Sequence, residues 1–255
     1  MDDVERDLWL SLRLPEPRAR TRLFCLPFAG GGSQMYRRWR GRLPEAIEIC
    51  PIQLPGREGR VRERPIEDLD ELVASIAGAI SGVLDLPFVL FGHSMGAMLG
   101  FEVARRLRDQ ELPTPRALIV SGRRAPHVPN PDPPIGDLPD DGFLEEIRQL
   151  NGIPDGVLQS AELVELILPA LRADYRMCET REHQAGAQLD CPIFAYGGLS
   201  DAKVDRPSLD AWREHTTGPF VIRMFQGDHF FLNDPRSMFR QALYTDLDTM
   251  LGDRR

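Results

Sequence analysis

Short apolar blocks, each too brief for a helix, alternate along this chain with longer stretches of helical period. Arg22–Leu26, Ile47–Ile52, Phe88–Phe91, Pro115–Ser121, Pro192–Gly198 and Phe220–Phe225 are near-continuous apolar runs and predict strands buried on both faces. Between the second and third, Leu69, Leu72, Val73, Ile76, Ala77, Ile80, Val83 and Leu84 follow the i, i+3, i+4, i+7 spacing of an amphipathic helix. Further helices are predicted over Tyr36–Leu43, from Met95 onward, and around Ser208–His215. A terminal helix carries Phe239, Ala242, Leu243, Leu247 and Leu251 on one face. Strand and helix in strict alternation imply an α/β fold, a mostly parallel central sheet with helices on both faces.

The alternation breaks from Ala125 to about Leu189, where no strand-like run occurs. Prolines at 126, 129, 131, 133, 134 and 139 lead into helical stretches near Asp141–Leu150 and Ala161–Arg176. A connection this long with a stiff entrance predicts a helical lid over a site. Its apolar residues, among them Phe143, Leu171 and Tyr175, read as packing positions. Residues 1–255 are read as a single domain, with the insertion at about 125–189 as its lid.

The chemistry centres on Gly92-His93-Ser94-Met95-Gly96, set where the third strand turns into a helix. Glycines on either side of the serine let strand and helix approach closely, so Ser94 stands exposed at the sheet edge as a nucleophile. The Met95 N–H, at the helix start, faces the place where negative charge would develop. A second donor is expected from the loop after the first strand, Pro27-Phe28-Ala29-Gly30-Gly31-Gly32-Ser33. That loop matches no nucleotide-binding glycine pattern.

A serine hydroxyl needs a base, and the base needs a carboxylate to fix its tautomer. Of His93, His127, His183, His215 and His229, only His229 follows the last strand in a Gly-Asp-His turn. His93 points away from the serine it precedes, and His183 and His215 are expected on solvated helical surface. Asp201, just after the fifth strand, is the expected orienting acid, with Asp205 in reserve and Asp228 a weaker candidate that would stabilise its own turn. The order Ser94, Asp201, His229 is that of the α/β-hydrolases.

Composition narrows the partners. A net charge of −8 argues against nucleic acid. No run reaches the length of a membrane span, and the acidic N-terminus lacks the features of a signal peptide. Cys25, Cys50, Cys178 and Cys191 show neither CxxC nor metal-ligand spacing and are expected to be reduced thiols of a cytoplasmic protein. No metal and no cofactor is expected.

Taken together, Leu26-Pro27-Phe28-Ala29-Gly30-Gly31-Gly32, Gln53-Leu54-Pro55-Gly56-Arg57-Glu58, Gly92-His93-Ser94-Met95-Gly96-Ala97, Ser121-Gly122-Arg123-Arg124-Ala125-Pro126, Gly198-Leu199-Ser200-Asp201 and Gly227-Asp228-His229-Phe230-Phe231-Leu232 resemble the type II thioesterases that accompany polyketide and nonribosomal peptide synthases. The resemblance spans nearly the whole chain. It implies an α/β-hydrolase fold and hydrolysis of aberrant or stalled acyl groups from the phosphopantetheine arm of acyl or peptidyl carrier proteins. It also implies Ser94 as nucleophile, His229 as base, Asp201 as orienter, and the N–H groups of Ala29 and Met95 as oxyanion donors. Carrier docking is expected to use arginines such as Arg37, Arg38, Arg57, Arg60, Arg123 and Arg124, and a monomer is the expected state. The competing readings are a general esterase or lipase acting on free acyl esters, and an inactive hydrolase fold used as a binding module.

Overall fold

Each predicted strand alternates its side chains between two covered faces. Phe24, Leu26, Phe88, Leu90, Leu118 and Val120 join one buried cluster, while Leu23, Cys25, Val89, Phe91, Ala117 and Ile119 join another. A computed structural model describes residues 3–149, 153, 155–234 and 236–252. In chain order they form α1 (Asp3–Trp9), β1 (Thr21–Leu26), α2 (Gln34–Arg37), β2 (Ile47–Pro51), α3 (Leu69–Ser81), β3 (Phe88–His93), α4 (Met95–Asp109), β4 (Ala117–Ser121), α5 (Asp140–Gln149), α6 (Asp155–Leu158), α7 (Ala161–Thr180), β5 (Ile193–Gly198), α8 (Arg206–Asp210), β6 (Phe220–Phe225) and α9 (Phe239–Gly252). Short 3₁₀ turns lie at Glu58–Arg60, Ala211–His215 and Phe231–Asn233.

The sheet has six parallel strands in the order β2-β1-β3-β4-β5-β6. Helices α1, α3 and α4 cover the face of the first cluster; Tyr36 and Trp39, with Phe239, Leu243 and Leu247 of α9, cover the other. After β1 the chain leaves toward β2 on one side and returns to build β3 on the other. The loops leaving β1 and β3 therefore diverge, and a crevice opens between them at the carboxyl ends of the strands.

Among the departures from the sequence expectations, three concern the elements outside the insertion. The α1 helix was not foreseen: its intrinsic helicity is weak, and it is held by tertiary contact, with Trp9 and Leu10 buried against α3 and the Trp9 carbonyl accepting from the Gln53 N–H. The helix expected over Tyr36–Leu43 is shorter and earlier, Gln34–Arg37, and continues as turns. The helix expected over Ser208–His215 is split into α8, capped by Asp205, and a 3₁₀ segment. Leu150 and the side chain of Leu251 lie outside the described residues.

Between β4 and β5 stand α5, α6 and α7. Both ends of this insertion meet the body of the fold through histidines. His127, in the loop after β4, has its Nδ1 2.8 Å from the Nε2 of His215, and the His183 ring, just past α7, lies 5.4 Å from that of His215. His215 is buried, packed on Phe101 and Trp212, rather than solvated on a helix as expected, and His183 lies beyond the helix end. The sequence could not show this, because the three imidazoles meet only through the fold.

Burial, reinforced by His127, His183 and the nearby Arg105 and Arg181, pushes His215 down to about 4 from its ordinary 6.5. Folded His215 resists a proton that the unfolded chain accepts. Its contribution to stability is therefore complete above pH 6.5 and is lost as the pH falls toward 4. A His215→Phe variant is expected to be less stable at pH 8, having lost the bond to His127, yet to show a shallower fall in Tm between pH 6.5 and 4. Thermal melts across that range check the prediction, and parallel acid limbs in the two proteins would contradict it.

Candidate active site

The turn out of β3 is built as the glycines predict. Ser94 sits at φ 53° and ψ −113°, in the left-handed region that a side chain rarely adopts. A Cβ on Gly92 would lie 1.9 Å from the Gly96 carbonyl oxygen, and one on Gly96 would lie 2.1 Å from that of Leu26, so neither position admits any other residue without displacing backbone. The strained serine is held from behind, its own N–H donating to the Ser121 carbonyl at 2.7 Å.

His229 follows β6 and lies beside the elbow, its ring 5.0 Å from that of His93, the residue before Ser94. Its Nδ1 is 2.8 Å from Asp201 Oδ2, and the Asp201 side chain is fully buried. The other carboxylate oxygen accepts from the Lys203 and Val204 N–H groups at 2.8 and 3.1 Å, which fixes the rotamer. A carboxylate can only accept, so His229 donates through Nδ1 and leaves an Nε2 lone pair free for a serine proton. Among the described residues the Ser94 hydroxyl itself makes no hydrogen bond. Asp205 caps α8 through the Ser208 N–H, and Asp228 accepts from the Phe230 N–H of its own turn.

His93 is wholly buried, as its predicted direction requires. Its Nδ1 lies 2.9 Å from Ser121 Oγ, its Nε2 has no partner among the described residues, and burial together with His229 holds its pKa well below the usual histidine value. It stays neutral and places no competing charge beside His229. Phe230 packs against both imidazoles, and Phe28, its ring centroid 4.9 Å from that of Phe230, packs on His93 and sets the loop after β1 over the site.

In that loop the Gly30 N–H donates to Asp174 on α7 and the Gly31 N–H to the Phe28 carbonyl. The Ala29 N–H has no acceptor among the described residues, nor has that of Met95 at the first position of α4. They are two unengaged donors, one from each loop bordering the crevice, and preorganised backbone donors of this kind are what an oxyanion needs. Beyond them a cavity of about 440 Å³ opens between the loop after β4 and the end of α7, lined in part by Met98, Arg123, Cys178 and Trp212. Met98, one turn along α4 from Ser94, belongs to its lining; Ser94 and His229 do not.

Of the arginines expected to form a docking patch, Arg57 and Arg60 do not qualify. Arg57 is buried in an ion pair with Asp174, and Arg60 is buried over the Trp9 ring, bonded to Glu63 and to the Gln53 carbonyl. A run of basic residues does not disclose acidic partners elsewhere in the chain. Arg123 and Arg124 are half-buried, bonded to Met98 sulfur and to the backbone carbonyls of Pro129 and Lys203; Arg37 and Arg38 are exposed. Among the described residues, no helix is long and apolar enough to cross a membrane, and no cluster of three or more His, Cys, Asp or Glu is arranged to hold a metal ion.

The profile of the Thioesterase domain family matches residues 21–243. The chain is 44% identical over 236 residues to the gramicidin S biosynthesis protein GrsT of Aneurinibacillus migulanus, covering 92% of each. It is 40% identical to the thioesterase PikA5 of Streptomyces venezuelae, over 91% of this chain and 83% of that protein. The solved structure of the type II thioesterase BorB from the borrelidin biosynthetic cluster superposes with a TM-score of 0.83 at 38% identity, over 94% of this chain and 95% of the other. With its parallel sheet, elbow and expected Ser, Asp and His at three strand ends, the chain belongs to the Thioesterase domain family and is a thioester hydrolase of α/β-hydrolase fold.

Proposed function

We propose that this protein is an editing, type II thioesterase that hydrolyses aberrant or stalled acyl groups from the phosphopantetheine arm of acyl or peptidyl carrier proteins of a polyketide or nonribosomal peptide synthase. The observation that carries the reading is the pair of unengaged N–H groups, Ala29 and Met95, beside a strained Ser94 and a hydrogen-bonded Asp201–His229 pair. In this reading His229 Nε2 takes the Ser94 proton as Oγ attacks the thioester carbonyl. The carbonyl oxygen gains negative charge between the two N–H donors, and the C–S bond breaks as His229 returns the proton to the departing sulfur. Water, activated by the same imidazole, then attacks the acyl-serine and releases the acid with Ser94 restored.

The insertion over 125–189 acts as the lid, and the neighbouring cavity gives the acyl chain room. The reaction needs no metal or cofactor of the enzyme's own, since the substrate brings the phosphopantetheine. The enzyme works as a monomer in the cytoplasm.

Mass spectrometry of a panel of acyl carrier proteins, before and after exposure to the enzyme, tests the proposal against acyl-CoA and nitrophenyl esters. Release from the carriers with greater efficiency than from free esters is expected. Turnover of the esters without turnover of the carriers would instead establish a general esterase, and failure of a fluorophosphonate to label Ser94 would establish a binding module.

A further inference from the structure

The loop that carries Ala29 is anchored by a charge pair on elements remote from it in sequence. Asp174, on α7, accepts from the Gly30 N–H at 2.8 Å through Oδ2. The same carboxylate takes both arms of Arg57, Nη1 to Oδ2 at 2.5 Å and Nη2 to Oδ1 at 2.9 Å, across 117 residues of sequence. Arg57 Nη1 also reaches the Gly31 carbonyl at 3.4 Å, so the pair grips the loop by a donor on one residue and an acceptor on the next. Both side chains are buried, Asp174 at 1% and Arg57 at 8% exposure. One turn back along α7, Leu171 closes the contact: a Cβ on Gly30, which has φ 73°, would lie 2.4 Å from its Cδ1.

The peptide N–H next to the unengaged Ala29 N–H is thus fixed by the insertion, not by the sheet. An oxyanion donor stabilises charge only while it points at the position that the oxygen reaches. From this geometry we propose that Asp174, clamped by Arg57, is a positioning residue for the oxyanion loop and couples the placement of α7 to the alignment of the Ala29 N–H. The thioesterase is catalytically competent only with α7 seated. The inference rests on the proposed role of the Ala29 N–H.

The test compares wild type with Asp174→Asn, which preserves shape and removes the charge. Four quantities are measured: kcat, KM, affinity for a trifluoromethyl ketone analogue of a short acyl-pantetheine, and affinity for the matching amide. Ser94 captures the ketone by forming an O–C bond as its hydroxyl proton passes to His229 Nε2, while the carbonyl π pair becomes an alkoxide in the oxyanion hole; the amide binds without reaction. Asp174→Asn is expected to lower kcat by about 10- to 100-fold, the scale of a misaligned oxyanion donor. Ketone affinity falls by the same factor, while KM and amide affinity change less than about threefold.

All assays are run well below each protein's Tm. Should Asp174→Asn not fold, Arg57→Lys, which retains a cation without the two-armed grip, supplies the same comparison. Unchanged kcat, a kcat loss without matching loss of ketone affinity, or a shift confined to KM and amide binding would each overturn the proposal. A wild-type enzyme that forms no ketone adduct at Ser94 would overturn the functional reading instead.

Discussion

A Ser94→Ala variant is expected to keep the parent fold and to lose hydrolysis of acyl carrier thioesters by about 10⁴-fold or more. The loss is chemical. Alanine keeps the Cβ that the φ of 53° already accommodates, and the bond from the residue 94 N–H to Ser121 is unaffected, so the turn is not relieved or broken. What disappears is the hydroxyl proposed to form the acyl intermediate. The two oxyanion donors and the cavity remain, so an acyl carrier should still bind. Single-turnover kinetics with an acylated carrier, alongside a binding titration, separate the two effects, and retained turnover would remove Ser94 from the nucleophile's role.

The second large effect is expected at Asp201. Asp201→Asn replaces the acceptor facing His229 Nδ1 with a group that can present a donor, which favours the wrong imidazole tautomer and takes the lone pair away from Nε2. A fall in kcat of about 10⁴-fold is expected, with little change in KM. Asp205→Asn is the discriminating control. Asp205 caps α8 through the Ser208 N–H, so its substitution is expected to cost no more than about 1 kcal/mol of stability and to leave kcat unchanged. An Asp205→Asn enzyme that lost activity while Asp201→Asn kept it would reverse the assignment of the acid.

The contrast between these two aspartates shows what was legible in the sequence. The elbow could be read because close approach of strand and helix demands glycine at 92 and 96, and that demand is local. Asp201 and His229 could be read because each follows a strand that a short apolar run announces, and parallel strands bring their carboxyl ends to one edge. Side chains whose meaning depends on distant partners were not legible. Arg57 looked like surface charge because Asp174 stands far along the chain, and His183 and His215 looked solvated because nothing local reveals the edge-on contact between their rings. The apolar periodicity of α7 was visible, but its register against Gly30 was not.

The crevice between β1 and β3 also bears on when activity can arise during synthesis. Ser94 and both unengaged N–H groups leave the ribosome early, yet the proposed acid and base, Asp201 and His229, follow β5 and β6, the last two of the described strands. Nascent or truncated chains ending before residue 201 lack both Asp201 and His229, the proposed acid and base. On the proposed assignment such fragments are expected to be inactive, and hydrolysis to begin only once β6 has joined the sheet.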